Sequence, residues 1–349
     1  MSSRFALRFR AAVFAAGFAL AVVAVEAGPR PATVTAITPA SAAAAVATPP
    51  ATLGETGFDA LAGERLAFAP QYPLWSDGAH KRRWIYLPPG TWIDATDGDA
   101  WQFPVGTRLW KEFSFGRPVE TRYMERRASG WIYATYVWNP AGTEATLAPA
   151  RGVTTDVEVA PGVTHVVPGA GDCVACHGNG ATPVLGMSAL QLSVDRDPGA
   201  LHREPPIAGA IDLAGLVATG RVRNLRGGLV AAAPRIAAGT PVERAALGYL
   251  HGNCSSCHRP DGPLATLAMS LRAPDAIATA VGQHGRFALR TDAAERTRIT
   301  PGAPAQSVLL ARIASRSPAL QMPPIGTGVV DAEAVALITA WIEQLDDHL

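Results

Sequence analysis

Four cysteines occur in the 349-residue chain, and all four stand in two pairs that each run directly into a histidine: Cys173-Val174-Ala175-Cys176-His177 and Cys254-Ser255-Ser256-Cys257-His258. Thiols three residues apart lie on one side of a helical turn, where both can add to the vinyl groups of a haem, and the adjacent imidazole then lies under the iron. The pattern predicts two covalently bound c-type haems, with His177 and His258 as proximal ligands. A structural zinc site would need the cysteine pairs spaced for one tetrahedron, and a thioredoxin-like dithiol would need a βαβ setting that the flanking sequence lacks. With every cysteine committed to a cofactor, none remains to staple the fold.

The sixth position of the second iron has a candidate in Met322, within Gln321-Met322-Pro323-Pro324. Methionine is more often a flexible core filler, but the prolines stiffen the loop that would present its sulfur to the iron. Met269 follows His258 too closely to serve and is expected to line the haem. For the first iron the choice stays open between His165, His202, Met187 and no protein ligand. Met187 follows His177 at short range, His165 precedes the motif in a strand-like segment, and His202 lies in a polar loop.

The elements that must position these groups are legible on both sides. Thr240-Pro241-Val242-Glu243 is a capping box with proline at the first helical position, and it opens a helix that runs into Asn253-Cys254. Asp331 is a candidate N-cap for a closing helix whose Val335, Ile338, Ile342 and Leu345 fall on one stripe. Upstream, residues 57–167 alternate short Trp-, Tyr-, Val- and Thr-rich runs with turn signals such as Pro88-Pro89-Gly90 and Asn139-Pro140. The clearest strands are residues 83–87, 107–115, 119–126 and 131–138. The tryptophans concentrated there are expected to pack in a core rather than to stack a ligand. Alternation puts Leu109, Lys111, Phe113 and Phe115 on one face. An ammonium among apolar side chains is costly unless it is paired, reaches water or serves chemistry. For Lys111 the plain expectation is an edge-strand lysine that reaches solvent, and the sharper one is a position near the open face of the first haem.

Arg4, Arg8 and Arg10 precede an apolar run from Ala11 to Val25, and Val25-Glu26-Ala27 ends in a small residue. That order predicts a secretory signal peptide over residues 1–27 and a periplasmic product; the run is shorter than the roughly 20 residues of a spanning anchor. Residues 28–56, rich in Ala, Pro and Thr, are expected to be a linker. A β domain (57–167), a first haem-binding segment (168–239) and a second haem domain (240–349) follow. The fold class expected is multidomain α+β, with an antiparallel β domain leading into an all-α C-terminal domain. Charge is balanced, 30 Lys and Arg against 29 Asp and Glu, so nothing in the total implies nucleic acid or an anionic membrane as partner.

The stretch from Arg244 to Cys254, with Pro301-Gly302-Ala303-Pro304-Ala305-Gln306-Ser307 and Met322-Pro323-Pro324, resembles the C-terminal haem domain of a largely uncharacterised family of bacterial cytochromes c. The likeness extends to Leu74-Trp75-Ser76-Asp77-Gly78-Ala79-His80-Lys81 and Phe103-Pro104-Val105-Gly106-Thr107. It implies haem binding and electron transfer between redox protein partners, with a small cytochrome c fold at the C-terminus, and it names no substrate. The β stretch leading into a haem motif is also similar, more weakly, to the β-sheet cytochromes c-prime and to hydroxylamine-oxidising cytochromes with a lysine cross-link. The rival to an electron carrier is an enzyme acting on a small nitrogen or oxygen species at an open first haem. A di-haem peroxidase would hold its motifs farther apart, and a sensor whose β domain binds a partner is a third class. Intact-mass measurement of protein made with a cytochrome c maturation system should show the processed chain plus two haems; a gain of one or none contradicts the reading.

Overall fold

In the computed structural model, which describes residues 48–178, 183–205, 207–288 and 297–345, the Trp- and Tyr-rich stretch folds into an antiparallel sheet. Its strands are β1 (Leu66–Phe68) and β2 (His80–Tyr86), then, past a short β3 (Ile93–Asp94) outside the sheet, β4 (Arg108–Ser114), β5 (Pro118–Arg127), β6 (Gly130–Trp138) and β7 (Ala145–Leu147). The spatial order β1-β2-β4-β5-β6-β7 is a meander in which each strand pairs with the next sheet strand along the chain. The four expected strands are β2, β4, β5 and β6. A separate hairpin of β8 (Val153–Ala160) and β9 (Val163–Val167) follows and leads into α1 (Ala170–His177).

Period-2 alternation sends side chains to two different environments. One face carries Trp84, Trp110, Tyr123 and Tyr136, buried against Leu53 and Phe58. The tryptophans in this layer therefore pack the core, as expected. The last part of the expected linker 28–56 is docked on the sheet. Leu53 N–H donates to the Ala145 carbonyl at 2.9 Å, Leu147 N–H to the Ala51 carbonyl at 2.9 Å, and the Tyr136 hydroxyl to the Pro50 carbonyl at 3.0 Å. Pairing with β7 covers that edge of the sheet, and burial of Leu53 (2% exposed) offsets the ordering cost that an Ala/Pro/Thr segment alone could not.

The other face is divided. At one end Ile85 and Leu109 join Phe68, Trp101, Leu192, Leu213 and Leu216 in a second apolar cluster, which brings α2 (Leu213–Ala218) onto the sheet; β10 (Val222–Arg223) pairs parallel to β3. Toward the middle the same face carries Lys81, Arg83, Lys111, Glu120 and Arg122.

The C-terminal region is built on α3 (Pro241–Asn253), the short α4 (Ala276–Ala280) and α5 (Val308–Ile313), and α6 (Ala332–Glu343). Both expected caps form: the Thr240 hydroxyl accepts from Glu243 N–H at 3.1 Å, and the Asp331 carboxylate from Ala334 N–H at 3.1 Å. Ile338, Trp341 and Ile342 of α6 are fully buried against Ala246, Leu247 and Leu250 of α3. The regions do not fold apart. The described residues fall in one unit, residues of the 168–239 segment share a core with the sheet, and Tyr72 shares one with α3 and α6. The observed class is thus mixed α+β, a six-stranded antiparallel sheet followed by helices.

Tyr72 lies so close on α3 that a Cβ at Gly248 would stand 1.9 Å from its ring. Alanine would gain about 1 kcal/mol of helix propensity there, but overpacking of this kind costs about 1–3 kcal/mol. Gly248→Ala should therefore lower the denaturation midpoint; an unchanged or raised midpoint would contradict the packing described.

Candidate functional site

The first Cys-x-x-Cys-His motif forms the last five residues of α1, whose start is fixed by the Asp172 carboxylate accepting from Gly169 N–H at 2.9 Å. The helix rests on β6 through Tyr133, whose ring stacks on His177 with centroids 5.7 Å apart and whose hydroxyl donates to the His177 carbonyl at 3.2 Å. His177 Nδ1 lies 2.6 Å from the Pro183 carbonyl. A carbonyl only accepts, so Nδ1 carries the proton and Nε2 keeps a free lone pair, the arrangement that fixes the tautomer of a metal-bound imidazole. Burial lowers the His177 pKa to about 4, with the Lys111 and Arg122 cations acting in the same direction against the Pro183 contact. The ring is neutral at pH 7, as a ligand must be. Cys173 and Cys176 are free and half-buried; burial raises both thiols, and the Arg122 guanidinium opposes the shift.

The second motif begins where α3 ends. Its Cys254 and Cys257 are also free. His258 is 5% exposed, its Nδ1 has no partner among the described residues, and its backbone carbonyl accepts from Leu271 N–H at 2.8 Å. Burial, helped by the Arg312 and Arg298 cations, lowers its pKa to about 4. Met322 packs half-buried against the same cluster as Cys254 and Met269, and its N–H donates to the carbonyl of Arg312 at 3.0 Å. The loop that carries the candidate sulfur is thus tied to the residue whose charge acts on His258.

A contribution that motif reading missed comes from Leu74–Lys81, which clasps the second motif from outside. Trp75 N–H donates to Asn253 Oδ1 at 2.7 Å, one residue before Cys254, and the Trp75 indole N–H to the Val329 carbonyl at 3.2 Å. The Asp77 carboxylate accepts from the Thr327 hydroxyl and, at 3.0 Å each, from Gly328 and Val329 N–H. Asp77 sits at φ +53 before Gly78 at +79, a left-handed turn that Asp tolerates better than most residues. The Asp77-Gly78 pair and the resemblance carried by this stretch were the available signal; the partners, some 250 residues away, were not.

Of the open candidates for the first iron, His202 and His165 are each hydrogen-bonded through Nε2, and His165 keeps a buried Nδ1 with no partner among the described residues. His202 Nε2 bonds the Asp331 carboxylate at 2.7 Å while its ring lies on Trp75. His165 Nε2 bonds Glu120 Oε1 at 3.1 Å and its ring lies against Phe115. Met187 is 1% exposed within the sheet-side cluster. Lys111 is no edge-strand lysine, because β4 is flanked by β2 and β5. Its half-buried ammonium lies over the Phe113 ring, 4.6 Å from the centroid, and burial together with Arg83, Lys81 and Arg122 holds its pKa well below the usual lysine range.

The two motifs are neighbours. Burial raises the Cys176 thiol pKa, and the next cause is the charge of Cys257. A cavity of about 130 Å³ is lined by Val184 and Met187, just past the first motif, and by Gly252, Ser255 and Ser256 of the second. No group of three or more His, Cys, Asp and Glu side chains among the described residues gathers to hold a bare metal ion. The residues present, two free thiols beside one neutral imidazole at each motif, half-buried at His177 and buried at His258, fit covalent haem. The apolar run 11–25 lies outside the described residues, among which no helix is long and apolar enough to cross a membrane. In comparisons with known families, curated proteins and solved structures, nothing matches this chain.

Met322→Ala should abolish the near-infrared sulfur-to-iron band of the oxidised holo-protein and lower one haem potential by on the order of 0.1 V, within the roughly 0.8 V that axial ligands control. Persistence of the band would remove Met322 as a ligand.

Proposed function

We propose that this chain is an exported, periplasmic electron-transfer protein that carries two covalently attached haems and passes electrons through them between redox protein partners. The observation that supports this best is the state of His177: half-buried, neutral, its Nδ1 donating to the Pro183 carbonyl and its Nε2 free. Bound haem supplies reversible one-electron chemistry at its iron. The chain's part is to fasten each macrocycle by two thiols, to hold each imidazole neutral, and to exclude water from the rings. For the second haem, His258 and Met322 are the proposed axial pair, in a domain similar to the small cytochromes c. The adjacency of Cys176 and Cys257 supports a relay, since neighbouring motifs let an electron pass from one haem to the other inside the protein.

A second reading is favoured by one observation. His202 is held by Asp331 and Met187 packs in the sheet-side cluster, so among the open candidates only His165, whose Nε2 bonds Glu120 while its Nδ1 has no partner among the described residues, would compete with a small nitrogen or oxygen species for the first haem. Potentiometric titration followed at the α-band should resolve two one-electron components, and carbon monoxide added to the reduced protein should perturb only one of them. A single component would contradict the two-haem reading. Absence of any carbon monoxide complex would leave the carrier and exclude the open site.

A further inference from the structure

The strongest feature outside the haem motifs is a row of cations on the sheet face that carries Tyr133. Strand register sets Arg83, Lys111, Arg122 and Thr135 opposite one another on β2, β4, β5 and β6, so these side chains leave the same face, and Lys81 joins them two residues before Arg83. At about 4.8 Å per strand the row spans roughly 14 Å. Tyr133, two residues from Thr135 on this face, stacks on His177, so the row begins beside the first motif.

Four cations meet two carboxylates on this face. Glu120 Oε1 takes Arg122 at 2.6 Å, Glu204 takes Arg83, and the Lys81 ammonium donates to the Leu74 carbonyl at 2.6 Å. No hydrogen bond or ion pair holds the Lys111 ammonium among the described residues; its contact is the Phe113 ring. Arg83, Lys81 and Arg122 act on it, opposed by Glu204, whose Oε1 has no hydrogen-bond partner among the described residues. Lys111 is half-buried, and an ammonium crowded by three like charges is relieved where an anion joins them. The face runs to Tyr133, which stacks on His177, so an anion held by this row lies beside the first motif.

We propose that Lys111 and Arg122 form a binding site for an anionic oxygen group at the first haem. The group is either the propionate carboxylates of that haem or a small oxyanion of the nitrite class brought to its iron. This rests on the two-haem reading above. In either case Lys111 is the residue with charge to spare, because Arg122 is already committed to Glu120, which also holds His165. Arg122 supplies direction through its planar fork, and Lys111 supplies the uncompensated charge.

Lys111→Met keeps the apolar stem, removes the charge and relieves the repulsion on this face, so the fold survives it; Lys111→Arg restores the charge. Intact mass of each full-length holo-protein comes first, and a missing first haem overturns the two-haem reading together with this site. With both haems attached, sodium nitrite is titrated against the oxidised protein and the first-haem potential is measured. If the site serves an external oxyanion, nitrite gives a saturable Soret shift in the wild type, Lys111→Met weakens it about tenfold or more, Lys111→Arg recovers it, and carbon monoxide affinity of the reduced form stays unchanged. If it serves the propionates, nitrite gives no shift in any variant, and Lys111→Met moves the reduction equilibrium of the first haem about tenfold toward the oxidised form, about 59 mV for a one-electron couple, with recovery in Lys111→Arg. An unchanged nitrite response and an unchanged potential in Lys111→Met, with both haems present, overturn the proposal.

Discussion

The carboxylate of Asp77 is the contact on which the arrangement of the two motifs depends. It accepts from three successive residues, Thr327, Gly328 and Val329, and so ties a turn that precedes β2 to the stretch between Met322 and α6. Trp75, two residues earlier, reaches Asn253 at the end of α3 and Val329. Together they fix both flanks of the second motif to the strand that begins the cationic face. Hydrogen bonds to a charged acceptor are each worth about 1.5–3 kcal/mol, enough for one side chain to hold two segments in register. His202 extends the clasp by bonding Asp331, the N-cap of α6. A histidine that looked free to ligate iron is in this way spent on joining the segment after the first motif to the helix after the second.

Burial then sets the chemistry. His177 and His258 are neutral because desolvation disfavours their charged forms and because nearby cations disfavour them further, Lys111 and Arg122 for the first, Arg312 and Arg298 for the second. The same cations would stabilise negative charge placed near either ring. The two sites differ in what lies around them: the second has a methionine loop tied to Arg312, whereas near the first His202 is held by Asp331, His165 is held through one nitrogen only, and a basic sheet face stands near. On the proposed reading, a carrier site and a ligand-binding site would share one chain.

Much of this was legible in the sequence and some of it was not, for physical reasons. The haem motifs are local, and so are the caps at Thr240 and Asp331 and the alternation of β2, β4, β5 and β6. The docking of Pro50–Thr56 was not, because its composition promises too little burial; one leucine and the free edge of β7 supply the rest. The place of Lys111 depended on strand order, which alternation within one strand cannot give: Leu109, Lys111 and Phe113 do share a face, but only the register with β2 and β5 sets the half-buried ammonium beside Arg83 and Arg122. The register shifts between Phe113 and Ser114, and Phe115 beyond it lies against His165, which bonds Glu120 opposite Phe113. The separate domains expected from composition share their cores because Tyr72 and residues 183–192 insert across the expected boundaries.

The central claim is that two haems sit at neighbouring motifs and act on one another. Electron paramagnetic resonance of the fully oxidised protein tests it most directly, compared with the same protein poised with one haem reduced. Neighbouring ferric haems should broaden each other's signals, and reduction of one should sharpen the spectrum of the other. Two signals that add as independent species, with the remaining one unchanged when its neighbour is reduced, would contradict the account.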